Sequence, residues 1–177
     1  MEVQNLTASD RYWFFAACQT GDIDLLCKLR NRFTGEDARA SNNEALCWAC
    51  VNGHVEVVRY LRVGYGLTAD DARGDALLMA CWKGHVQVVR ELHVGYGLTA
   101  QDAQVRDNGP LVVASRAGHT EVVRYLREGY GLRATDARTL NNLALRLAYK
   151  EGRWEVVREL REGYGLMADD AVRVQRL

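Results

Sequence analysis

A repeated segment of about 30 residues constrains the fold more than any other feature of this sequence. Four copies begin at Ala45, Ala76, Pro110 and Ala144, and each contains V-V-R followed by G-Y-G-L. A diverged copy covers residues 13–39. One glycine marks the middle of each copy: Gly21, Gly53, Gly84, Gly118 and Gly152. Their spacing of 31 to 34 residues is typical of a solenoid of helical repeats.

The copies divide a single repeat domain, residues 1–177, into five units. Their approximate bounds are 11–39, 43–73, 74–104, 108–138 and 142–172. With 23 basic and 23 acidic side chains the formal charge is zero, so no overall field favours nucleic acid or an anionic membrane. Apolar runs are too short to span a bilayer, and the first residues do not resemble a secretion signal. We therefore expect a soluble cytoplasmic protein with no membrane contact.

The most suggestive local motif is C-x-x-C, formed by Cys47 and Cys50, with His54 four residues later. Such a cluster could be a redox pair or half of a zinc site. The other copies argue against both, because small or apolar residues occupy most of the matching positions. Buried cysteine behaves as a small hydrophobe, so we predict a packing role, no metal and no cofactor. The histidine beside the marker glycine recurs at His85 and His119, and we interpret it as a turn residue that bonds to the next repeat.

Each unit has the pattern of two helices joined by a turn. In the second unit, Leu46, Trp48 and Ala49 recur at helical spacing, which predicts an apolar face on the first helix. The second helix carries a stripe of valine and leucine, and Gly64 suits a left-handed position just after its end. Residues three positions apart on the second helices predict exposed ion pairs: Glu56 with Arg59, Glu121 with Arg124, and Glu155 with Arg158.

Units of this length with an L-x-x-A-C-x-x-G-H core resemble the ankyrin repeat. The nearest stretch is GPLVVASRAGHTEVVRYLREGYG, residues 109–131, where Pro110 occupies the place of the proline in the T-P-L-H motif of that family. Proline suits this first helical turn. The motif's histidine is absent, and its threonine is replaced by Glu44, Asp75, Gly109 and Leu143. The resemblance covers nearly the whole chain and implies a helical solenoid that binds other proteins.

The segments after G-Y-G-L depart from the ankyrin pattern. Ankyrin repeats normally cross to the next unit through a β-hairpin, whereas here Thr68 and Asp71 are spaced as a capping box that starts a helix. The same spacing recurs as Thr34 with Asp37 and Thr99 with Asp102, while Arg133 and Met167 replace the threonine in the last two units. We therefore predict an all-α solenoid of five units with a short helical turn in place of each hairpin, at 67–76, 98–109 and 132–143.

No set of side chains with catalytic chemistry recurs in the units, so we expect no enzyme activity and no small-molecule substrate. A solenoid offers an extended concave surface, and the ankyrin resemblance implies that the ends of the first helices contact a partner protein. The candidate binding residues are Val51, Asn52, Trp82, Lys83, Arg116, Lys150 and Glu151. Trp82 has two interpretations: tryptophan is frequent among binding hot spots, but it could also pack between repeats.

Two alternatives to partner recognition are open. Trp13, Phe14 and Phe15 lie in the first unit, where a terminal repeat should be polar. Such a cluster would make the chain a self-associating scaffold, so we expect a monomer or a weak homo-oligomer. Nucleic-acid binding is the weaker alternative, because three ridge cations fall short of the strongly basic surface that specific binding needs.

Overall fold

The computed structural model describes residues 7–167, and all regular structure in that range is helical. The first helices of the units are α1 (Ala8–Thr20), α3 (Gly35–Asn52), α6 (Asp75–Lys83), α9 (Val105–Ala117) and α12 (Thr139–Lys150). The second helices are α2 (Ile23–Leu29), α4 (Val55–Tyr65), α7 (Val86–Val94), α10 (Thr120–Glu128) and α13 (Trp154–Arg158), which continues as a π-helical turn over Glu159–Gly163. The crossings contain α5 (Ala69–Ala72), α8 (Ala100–Ala103) and α11 (Ala134–Ala137). The predicted all-α solenoid is confirmed.

The core consists of equivalent positions stacked from unit to unit. Each first helix contributes a fully buried alanine: Ala17, Ala49, Ala80, Ala114 and Ala148. Each second helix contributes a fully buried leucine: Leu26, Leu61, Leu92, Leu126 and Leu160. Each such leucine contributes about 2 kcal/mol of burial free energy. The first helices of consecutive units contact each other more extensively than the second helices do, and the small alanine side chains permit this contact.

The aromatic residues of the first unit do not form one exposed cluster. Phe14 is fully buried and stacks on Phe33, with ring centroids 4.5 Å apart. Phe15 is half-buried, whereas Trp13 is exposed beside Tyr12. The expectation of an apolar outer face is therefore wrong for Phe14, which is core, and holds only for Trp13.

A capping box starts α3, α5 and α8, and the backbone half of the same box starts α11. At the start of α8, the Thr99 N–H and hydroxyl both donate to Asp102 Oδ2, at 2.7 and 2.9 Å. Thr34 and Thr68 make the same box at the starts of α3 and α5. At α11 the backbone N–H of Arg133 donates to Asp136. The prediction of helical turns in place of hairpins is confirmed at these crossings, and the segment after Met167 lies outside the described residues.

The capping aspartates also bind the preceding unit. The guanidinium of Arg39 donates to Asp71 at 2.9 Å, and that of Arg73 donates to Asp102 at 2.9 Å. Burial opposes ionisation of Asp102, but hydrogen bonds from Thr99 and Arg73 outweigh it, so the pKa of Asp102 lies below its ordinary value. One carboxylate therefore fixes both a local helix start and the contact between two units.

The Asp102→Asn substitution should lower the free energy of unfolding by about 1 kcal/mol at pH 7, because the neutral amide weakens the cap and the arginine contact. Since folding lowers the pKa of Asp102, its stabilisation is present above the unfolded pKa of about 3.9 and is lost as pH falls below it. Urea unfolding at pH 7 and pH 3 should show the gap to wild type closing in acid. Asp24→Asn, at an exposed position in α2, is the control, and a gap that persists at pH 3 would contradict this account.

Three crossings pass through a left-handed turn before the next first helix begins. The turns occupy residues 41–43, 106–108 and 140–142, with φ between 52° and 61°. Each ends in asparagine, which tolerates this conformation better than most residues do. In the second unit, only Gly74 and Asp75 replace the five residues 40–44, and Gly74 makes the crossing with φ of 91°.

Contacts between consecutive second helices alternate between ion pairs and aromatic contacts. Between the second and third units, Arg59 and Arg62 both bind Glu91, at 3.1 Å. Between the fourth and fifth, Arg124 and Arg127 bind Glu159 in the same way. Tyr60 and Tyr125 take the glutamate position in the second and fourth units. Arg90 lies over Tyr125, and Arg30 lies over Tyr65, whose ring packs edge to face against Tyr60. The predicted pairs Glu56–Arg59 and Glu121–Arg124 do not form, because Arg59 and Arg124 bind carboxylates of the next unit instead. Glu155 and Arg158 do not pair among the described residues either.

The prediction of a left-handed glycine directly after each second helix is wrong. Gly95 keeps a helical φ of −78°, and a Cβ there would collide with the Glu91 side chain. At Gly129 an added Cβ would lie 2.6 Å from the Tyr125 ring. This glycine therefore lets the residue one turn earlier fold back toward the preceding unit. The left-handed position falls two residues later, as at Gly66, where φ is 70°.

Glu91→Gln should lower the free energy of unfolding by about 1 kcal/mol, because it removes the charge that two arginines share. The loss should shrink as salt screens the pair. Glu56→Gln is the matched control on the neighbouring second helix and should change stability by less than about 0.5 kcal/mol. Equal losses in chemical unfolding would show that the pairing between units carries no stability.

Candidate functional site

The ends of the first helices line up along one side of the array. We define the ridge as the two residues before each marker glycine: Gln19, Thr20, Val51, Asn52, Trp82, Lys83, Arg116, Ala117, Lys150 and Glu151. The last carbonyl groups of an α-helix have no partner within the helix. The ridge backbone therefore needs hydrogen bonds from elsewhere.

A ladder of side chains supplies those bonds. His54 Nε2 lies 2.9 Å from the Gln19 carbonyl, His85 Nε2 lies 2.9 Å from the Val51 carbonyl, and His119 Nε2 lies 3.0 Å from the Trp82 carbonyl. A carbonyl can only accept, so Nε2 carries the proton in each case. In the last unit Arg153 takes the place of histidine and donates to the Arg116 carbonyl at 3.3 Å. The bond goes to the preceding repeat, whereas the sequence suggested the next one.

The marker glycines make room for this ladder. Gly53 has a left-handed φ of 79°, and a Cβ there would lie 2.5 Å from Nδ1 of His85. At Gly21 the corresponding distance to His54 is 2.6 Å. The imidazole therefore lies directly over the glycine. Glycine is required at this position because the backbone is left-handed and because the histidine of the next unit occupies the space that a side chain would need.

Gly53→Ala should cost roughly 2 to 3 kcal/mol of unfolding free energy, from left-handed strain and a displaced histidine bond. Gly66→Ala provides the matched control: it also has positive φ, but no atom lies within 4 Å of its added Cβ. That variant should lose only about 1 kcal/mol, from strain alone. Thermal and urea unfolding would measure both, and equal losses would contradict the steric role of His85.

Trp82 is the largest exposed group on the ridge. Its side chain is 49% exposed, and Lys83 Nζ lies 4.1 Å from the ring centroid. The ring is therefore not enclosed between repeats. It borders an open groove of about 360 Å³, which is lined by Trp82, Val113, Arg116, Ala117, Glu151 and Arg153. The groove joins the third, fourth and fifth units.

The structure places all seven predicted residues at first-helix ends, but only some of them meet. Trp82, Arg116 and Glu151 share the groove, and Arg116 approaches Glu151 to 3.7 Å. Lys150 is exposed beside them. Val51 is half-buried and Asn52 is exposed one unit away.

Sequence reasoning missed two residues of this surface. Trp48, predicted as core, is 37% exposed, and its Nε1 donates to Glu44 at 3.2 Å. The carbonyl of Trp48 accepts from the Asn52 amide, which ties it to the ridge. Trp48 lies one helical turn before Asn52, and this spacing could have predicted its place beside the ridge. Arg153 was read only as a variant of the histidine position, although it also lines the groove.

The C-x-x-C cysteines point toward the core: Cys50 is buried and Cys47 is partly buried. Cys50 has no exposed surface, and burial raises the pKa of its thiol. Burial, with smaller contributions from Asp75 and Glu44, raises the pKa of Cys47 to about 11. His54 uses Nε2 for its bond to the Gln19 carbonyl, and its ring lies over Gly21. Cys50 thus has the predicted packing role, and in residues 7–167 no group of three or more potential ligands is arranged to hold a metal.

Treatment with a strong chelator should leave both the helical circular dichroism signal and the melting temperature unchanged. A structural zinc would make folding depend on the metal, and thiols that stay protonated at neutral pH are poor ligands. The matched control is the same melt after addition of excess zinc. A drop in helicity with chelator that zinc restores would overturn the packing interpretation of Cys47 and Cys50.

The fold and the ridge together define an all-α solenoid of repeats that presents the ends of its first helices on one side. The family model of ankyrin repeats (three copies) matches residues 13–102 and 77–170. The chain therefore belongs to the ankyrin-repeat family. Proteins of this family generally mediate protein–protein interaction and are typically non-catalytic. No curated protein matches the chain. Within residues 7–167, every helix is too short or too polar to span a bilayer.

Proposed function

We propose that this chain is a non-catalytic, cytoplasmic interaction module that binds a partner protein through the ridge. The observation that carries the proposal is Trp82, a half-exposed tryptophan whose backbone is held by His119 and whose ring borders a groove. A rigid aromatic group beside a concave space loses little conformational freedom on binding. Trp82 is therefore the proposed anchor of the contact.

The other ridge residues have supporting roles in this proposal. Val51 and Asn52 extend the contact toward Trp48, and Lys83, Arg116, Lys150 and Glu151 supply polar groups around Trp82. Hot-spot residues are commonly surrounded by weaker contacts that exclude water. The arrangement of one central aromatic group with a polar border fits that pattern.

Replacing Trp82 with alanine should weaken partner binding by roughly 2 kcal/mol or more. The free energy of unfolding should change by less than about 1 kcal/mol, because half of the ring is already in water. Trp154→Ala is the matched control, since Trp154 is 60% exposed and lies on the second-helix layer. Affinity capture from cell extract with each variant, alongside thermal melts, would measure both effects. Equal capture by the two variants, or a large loss of stability in Trp82→Ala alone, would remove Trp82 from the site.

A second candidate function is weak self-association through Trp13 and Tyr12. Their side chains are 51% and 65% exposed, and their rings meet edge to face. Two such patches could pack together in a homodimer. Light scattering across a range of protein concentrations tests this directly, and a mass that stays monomeric throughout would eliminate it.

A further inference from the structure

The ridge changes in charge from one end of the array to the other. In the first two units its residues are uncharged: Gln19, Thr20, Val51 and Asn52. From the third unit onward it carries Lys83, Arg116 and Lys150, with Glu151 as the one acidic ridge residue among those described. Arg153 adds a further cation to the groove. A nearly uncharged half and a cationic half therefore adjoin at Trp82.

These cations differ from a group of arginines elsewhere in the fold that bind carboxylates of the next unit at hydrogen-bond distance. Arg39, Arg59 and Arg73, for example, contact such carboxylates at 2.9 to 3.1 Å. Arg116 is 66% exposed, and its 3.7 Å approach to Glu151 is too long for a hydrogen bond. Lys83 lies over the Trp82 ring rather than on a carboxylate. The positive charge on this part of the ridge is largely left for an external group.

The apolar part of the same surface adjoins the charge. Trp82, Val113 and Ala117 line the groove, whose volume of about 360 Å³ exceeds that of any single side chain. Arg116 and Arg153 line the same groove. An apolar side chain placed in the groove would therefore bring its neighbours in sequence beside the cations.

We propose that the partner is a linear protein segment that carries one large apolar side chain next to a run of aspartate or glutamate. This inference rests on the proposed function and specifies its partner. The apolar side chain occupies the groove beside Trp82, and the carboxylates contact Lys83, Arg116 and Lys150. Charge-assisted hydrogen bonds to carboxylates are the strong polar contacts that such cations make. The uncharged first units then meet the part of the partner that lies beyond the apolar side chain.

The test is selection of short random linear peptides on the immobilised full-length chain, followed by anisotropy measurements with labelled peptides. Enriched peptides should be net acidic and contain an aromatic or long aliphatic residue. Their affinity should fall about tenfold in the double variant K83E/R116E and about tenfold from low to high salt. K28E/R158E, which reverses two exposed charges on second helices, should bind as wild type does. Circular dichroism of both variants confirms that they are folded.

Failure of the acidic partner can be distinguished from failure of the ridge as the binding site. Enriched peptides that depend on Trp82 but are neutral or basic would overturn the acidic partner and leave the ridge as the site. Peptides that bind Trp82→Ala as well as wild type, or a selection that enriches nothing, would overturn both. Tighter binding of a single-stranded oligonucleotide than of the selected peptides would overturn the assignment to a protein segment.

Discussion

Each ladder residue makes a hydrogen bond to the end of the preceding first helix, and the rest of the array depends on this contact. A helix end leaves carbonyl groups without partners, and His85 satisfies one of them across the bare backbone of Gly53. The same bond fixes the spacing of two units and the orientation of Val51 on the ridge. Packing between units and presentation of the surface therefore have one cause, and the marker glycine is needed for both.

The backbone of each crossing also needs hydrogen-bond partners, and a β-hairpin would provide them in a different way. A hairpin satisfies its own backbone through strand pairing, whereas here each crossing helix satisfies its backbone internally and through its capping box. The contact between units then passes to side chains, as in the pairing of Arg73 with Asp102. These crossings present short helices that carry aspartate rather than paired strands.

Local rules were enough to predict the unit length, the helix pairs, the caps and the loss of the hairpin. They depend on residues a few positions apart, as with Thr99 and Asp102. The pairing of Arg59 with Glu91 was missed because the two residues are 32 positions apart and meet only when units stack. Trp48 was misassigned because an apolar residue at helical spacing can face either the core or the ridge. The positions of the seven ridge residues followed from register, and their role in binding stays a prediction.

Alternation of glutamate and tyrosine on the second helices gives neighbouring junctions different physical responses. Salt screens the contact of Arg62 with Glu91, but it affects the packing of His93 against Tyr125 and Tyr130 much less. A change of ionic strength therefore affects the second-helix contacts of neighbouring junctions unequally. A stress that opens the ionic contacts leaves the first unit joined to the second, and the third to the fourth, through aromatic rings, so this array should loosen into two pairs of units and a single last unit.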